Sequence, residues 1–186
     1  NADGVLTYHL EIDGCTVSML LFVFAFEGLF MATTITSATL TVTLTESISL
    51  NGYDQGAKNT LSIGSINEVS KRIVTATTSE AIILAMGTAV AAGQFVESTV
   101  RYIRITNLDD TNHVALTFKN EDNDEFGLKL DKGQSFIYNA DLAGGVVDTM
   151  EANAGTITPD TFADLVDITA KANTASCDLE LFVASA

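Results

Sequence analysis

A chain of 186 residues is long enough for one domain with a substantial core. It carries 24 acidic side chains against 9 basic ones, a net charge of −15. That balance argues against DNA, RNA or an anionic membrane surface as partner, since binding these takes clustered Lys and Arg.

Apolar residues make up 47% of the chain and Pro occurs once, which is not the composition of a disordered segment. Thr often stands beside Ile, Val or Leu, and such β-branched runs suit strands. Cys15 and Cys177 lie far apart and form no C-x-x-C pair, so neither a disulfide framework nor a zinc site is indicated.

Residues 19–40 read MLLFVFAFEGLFMATTITSATL and join two unlike halves. The apolar run over residues 17–26 is half the length of roughly twenty that a membrane helix needs, and Glu27 and Gly28 interrupt it. A secretory signal wants a basic start, yet residues 1–16 hold acids and His9 and no Lys or Arg. The composition shift predicts Met31 as the natural start, with residues 1–30 an apolar leader of upstream read-through outside the fold. A signal or anchor is the alternative. Residues 31–186 are then expected to form a single domain.

From Ala38 onward, Leu40, Val42, Leu44, Ile48 and Leu50 share one parity, while Thr39, Thr41, Thr43, Thr45, Ser47 and Ser49 share the other. Period two predicts a strand with one buried face and one wet face, broken near Glu46. Asn51-Gly52 is a strong turn signal, extended into a loop by Asp54-Gln55-Gly56. Residues 60–63 and 68–75 read as strands, and residues 81–86 as a buried one. Residues 99–106 alternate with Ile103 and Ile105 inward. After the polar stretch NLDDTN, Val114, Leu116 and Phe118 resume the pattern, which predicts a hairpin over residues 99–119. An acidic turn at residues 120–125 leads to Phe126, Leu128 and Leu130, and Lys132-Gly133 turns the chain into residues 135–138. Residues 139–160 are irregular, with a short helical turn expected over residues 148–154. Residues 162–169 and 177–183 close the domain, with Cys177, Leu179, Leu181 and Val183 on one face. Many short strands with frequent turns, and no long 3.6-residue period, predict an all-β fold: a single antiparallel sandwich or jelly roll.

Candidate chemistry is sparse. His113 follows Asp109 and Asp110 in a turn, where carboxylates bonding nearby backbone amides are the expected arrangement. Asn120, Asp122, Asp124 and Glu125 offer hard oxygens at a spacing that suits the start of a calcium loop. The sixth position is Glu125 rather than Gly and the twelfth is Asp131 rather than Glu, so calcium is a weak candidate beside a solvated acidic hairpin tip. Arg101 and Arg104 have opposite parity, so one is expected in a surface charge network and the other against an acid nearer the core. Tyr53, Tyr102, Tyr138, Phe95, Phe118 and Phe136 are expected mainly in the core rather than as a sugar platform. No phosphate loop, dinucleotide fingerprint or nucleophile elbow occurs, so neither catalytic nor cofactor-binding residues are assigned.

The stretches LTVTLTESISLNGYDQGAKNTLSIGSINEVSKRIVT, VRYIRITNLDDTNHVALTF, FGLKLDKGQSFIYN and LELFVASA resemble small acidic proteins encoded by marine tailed phages and common in ocean metagenomes. The likeness runs from Met31 to Ala186. It implies a virion structural component, and it transfers no site residue. The function expected is therefore non-enzymatic: a capsid decoration or tail accessory subunit, acting as a homo-oligomer and through other virion proteins. The alternative is an exported, extracellular β-sandwich module that binds glycans or calcium.

Overall fold

The computed structural model of the chain describes residues 6–12, 15–21, 35–152 and 162–186. By internal packing the chain divides into two units, Asn1–Thr34 and Ile35–Ala186. In the first, β1 (Leu6–Ile12) and β2 (Cys15–Leu21) form an antiparallel hairpin with Leu6 opposite Leu21 and Ile12 opposite Cys15. The apolar run over residues 17–26 thus begins in a strand, and its remainder lies outside the described residues. Among the described residues no helix is long and apolar enough to cross a membrane.

The second unit is all β. Its strands are β3 (Ala38–Glu46), β4 (Ser49–Leu50), β5 (Tyr53–Asp54), β6 (Ala57–Ile66), β7 (Glu68–Ala76) and β8 (Ala81–Gly87). Then come β9 (Phe95–Val96), a 3-10 turn over Glu97–Thr99, β10 (Val100–Asn107), β11 (Val114–Asn120), β12 (Glu125–Leu130), β13 (Ser135–Asn139), β14 (Leu165–Ala172) and β15 (Cys177–Ser185). Two sheets build a sandwich. The front sheet runs β13-β10-β15-β7 and the back sheet β12-β11-β14-β8-β9, with every pairing antiparallel except β8 to the two-residue β9. Leaving β9 aside, eight strands from β7 to β15 make up the sandwich. In chain order the front sheet holds the first, eighth, third and sixth, and the back sheet the second, seventh, fourth and fifth.

Alternation sets what is inside. Ile103 and Ile105 of β10, with Leu179, Leu181 and Val183 of β15, face Leu116 and Phe118 of β11 and Ile168 and Ala170 of β14. All of these are almost fully buried. Phe118 anchors an aromatic group, stacked on Phe126 at 4.7 Å and packed against Phe136 and Tyr138. The sandwich is the expected one, with its faces assigned correctly along β10, β11 and β15.

Three expectations are corrected. The hairpin over residues 99–119 does not form, because β10 pairs with β13 and β15 in front while β11 pairs with β12 and β14 behind. The polar link is a corner between sheets, held by Asn107. Its fully buried side chain donates to the Asn112 carbonyl at 2.9 Å and the Leu130 carbonyl at 3.3 Å, and accepts from the Asp109 amide at 3.0 Å. No helical turn begins at residue 148: Asp148 has φ 51°, and Met150 bridges Ala163 in an antiparallel pair. Residues 153 and 154 lie outside the described residues. Finally, the apolar face of residues 38–50 is not buried along its length. Leu40 and Val42 are half-buried, whereas Leu44, Ile48 and Leu50 are exposed. The strand joins neither sandwich sheet, so nothing in the core reaches its far end.

Candidate functional site

That far end belongs to a two-stranded ribbon. β3 pairs antiparallel with β6 from Ala38–Ile66 to Glu46–Ala57, and the β4–β5 pair follows at the tip. Local sequence dictates both turns. Asn51 and Gly52 take φ of 53° and 83°, the positive pair that a tight two-residue hairpin demands. Gly56 lies so close to the Glu46 carbonyl oxygen that a Cβ would collide with it, and its amide donates to Asp54 Oδ1 at 2.8 Å. At the base, Ala38 faces Ile66 and Leu40 faces Ile63, so β6 carries one extra residue as a bulge. The bulge reverses parity, and both Ile63 and Ile66 are buried.

The ribbon base seats on the outer face of the front sheet. Leu40, Val42, Leu61, Ile63 and Ile66 cover Tyr102, Phe182 and Ala184, with Tyr102 and Phe182 edge to face at 6.0 Å. This cover explains why Tyr102 is buried although it points away from the sandwich core. Burial also pushes its hydroxyl pKa up. Beside the cover, Glu180 accepts from Arg104 and from Lys71, the latter at 2.9 Å, and the Arg104 guanidinium lies 5.9 Å from the Phe182 ring centre. Hydrogen bonds from Lys71 and then Arg104 hold the Glu180 carboxyl below its usual pKa.

Past the cover the ribbon is bare. Leu44, Ile48, Leu50 and Tyr53 are 54%, 55%, 61% and 73% exposed. A groove of about 210 Å³ between ribbon and β13 is lined by Val42, Leu44, Asn59, Leu61, Ile137 and Asn139, with no ionisable side chain among them. Scattered exposed aliphatics are ordinary, but several grouped on one element mark an interaction surface.

The other candidate residues take part in local hydrogen bonding. The Asp109 carboxylate accepts the amides of Asn112 and Thr111, and these bonds hold its pKa below the usual range. Thr111 donates to Asp110, and the His113 carbonyl accepts from the Asn173 amide. Asp109, Asp110 and Asp178 line an open depression with Thr75, Leu108 and Ser176, and His113 is not among its lining residues. In the 120–125 turn Asn120 is buried and its Oδ1 accepts the Asp124 amide at 2.8 Å, so that oxygen already has a donor. Asp122 and Glu125 are exposed and Asp124 is half-buried. Among the described residues no three His, Cys, Asp or Glu side chains gather as a metal set.

Arg104 joins the surface network, as expected of one of the two arginines. Arg101 is buried and donates to the Ser98 carbonyl at 2.8 Å rather than to an acid. The six aromatics do not form one platform: Phe118 lies in the sandwich core with Phe95, Phe136 and Tyr138 packed against it, Tyr102 lies under the ribbon, and Tyr53 is at the exposed tip.

Sequence reasoning overlooked one acidic group. Glu97 is buried in the 3-10 turn, and burial first, then Asp164 and Glu121, raises its pKa. No local pattern marks it, because Asp164 arrives from a distant part of the chain. Compared with known proteins, the chain matches no family model, no curated protein and no solved structure.

Proposed function

We propose that the chain is a non-enzymatic structural subunit of a phage virion, a capsid decoration or tail accessory protein that works through self-association and lattice contacts. The observation that carries this reading is the ribbon mounted outside the sandwich core, with Leu44, Ile48, Leu50 and Tyr53 exposed along it. Large aliphatic side chains facing water on one element are costly in a free monomer and useful at an interface. The strand order supports it. Eight strands arranged first-eighth-third-sixth and second-seventh-fourth-fifth read as a jelly roll, an architecture found in viral capsid domains as well as in lectins and cupins. Architecture alone does not fix function, so the weight rests on the surface. The resemblance of residues 31–186 to marine phage proteins points the same way.

Light scattering on the purified chain, together with co-sedimentation with particles of the phage that encodes it, tests the proposal. An oligomer that binds particles is expected. A strict monomer that leaves particles bare would overturn it.

A further inference from the structure

We infer that the distal ribbon is a docking element for the same ribbon of a second copy of this chain. The inference rests on the self-association reading above and names its contact surface.

Charge selects the partner. The whole chain carries −15, yet the twenty residues from Val42 to Leu61 hold only Glu46, Asp54 and Lys58 as ionisable groups apart from Tyr53. Two ribbons meet with a net charge of only −1 each, Glu46 and Asp54 against Lys58, so little of the chain's self-repulsion falls on this contact. Basic partners are steered to the acidic sandwich, not to this patch.

The backbone offers the second complement. Among the described residues β3 and β6 pair only with each other, so each strand presents an outer edge of unpaired N–H and C=O groups. An antiparallel strand from a two-fold-related copy satisfies such an edge and is its own complement. The third is shape. Ile48, Leu50 and Tyr53 project bare at one end of the ribbon, and the apolar groove lined by Val42, Leu44, Leu61 and Ile137 lies alongside. Tip and groove on each copy match in polarity, and joining them removes apolar surface from water on both sides.

The test uses the full chain in analytical ultracentrifugation, beside the double variant Ile48→Asp/Leu50→Asp and the control Ile82→Asp, whose parent side chain is exposed on the back sheet at 60%. The wild-type chain and the control are expected to associate, and the tip variant to associate about 100-fold more weakly. Hydrogen exchange on the unaltered chain needs no variant: amides of residues 42–61 should gain protection as concentration rises. Association undiminished in the tip variant, or concentration-dependent protection confined to other strands, would overturn the ribbon while leaving self-association intact. A wild-type chain that stays monomeric at high concentration would overturn both.

Discussion

Phe118 illustrates how much one side chain can hold. It is fully buried, stacks nearly parallel on Phe126 and touches two more rings contributed by β13. Phe118→Ala leaves a cavity between the sheets that the rings cannot close, and a loss of about 3–5 kcal/mol is expected. Urea unfolding checks it: a change below 1 kcal/mol would mean the aromatic group is not the centre of the core. Glu97 carries the opposite sign. Its folded pKa is raised, by burial first and then by Asp164 and Glu121, so the protonated form is favoured on folding. That contribution is complete below the unfolded carboxylate pKa and is lost as pH rises through the folded value. At neutral pH an ionised Glu97 therefore costs stability. Glu97→Gln keeps a donor for Asp164 and removes the charge, so its melting temperature should exceed wild type by about 1–3 °C at pH 7. The advantage should vanish near pH 4, where the glutamate itself is protonated. A gain that persists in acid would point to packing instead.

At the scale of elements, the corner and the ribbon separate what a sequence reveals from what it conceals. Alternation along β10, β11 and β15 assigned inner and outer faces correctly, because the pleat alone fixes which side chains point together. Asn51-Gly52 and the break after Glu46 were equally legible, each being a local steric demand. The link at residues 107–113 was not. A polar turn between alternating runs looks the same whether the second strand folds back beside the first or crosses to the other sheet, and distant partners decide that. Asn107 then holds the finished corner in place. Asn107→Ala strips the Asn112 and Leu130 carbonyls and the Asp109 amide of a partner in a buried place. The expected loss is about 2–3 kcal/mol by thermal or denaturant unfolding, whereas an exposed turn would lose almost nothing. The ribbon was concealed for a related reason: alternation shows that a strand has an apolar face, but not whether anything covers it. The spacing at residues 120–125 could not show that the Asn120 oxygen also accepts the Asp124 amide within its own turn.

The whole molecule sets a contest between its charge and its apolar ribbon. Each copy carries −15, so any oligomer gathers like charge, and repulsion between the acidic sandwiches opposes assembly at a distance. The proposed contact holds few ionisable groups between Val42 and Leu61, so its attraction comes from apolar burial and strand pairing. Salt acts unequally on the two. Raising ionic strength from about 0.02 M to about 0.5 M shortens the screening length from over 20 Å to about 4 Å, which suppresses the repulsion and leaves close apolar contacts almost untouched. Association should therefore strengthen with salt, with sedimentation showing a larger mass at high NaCl at the same protein concentration. An interface built on ion pairs, such as the Lys71–Glu180–Arg104 group, would respond in the reverse direction. Weakening with salt would thus move the contact from the ribbon to the charged part of the front sheet.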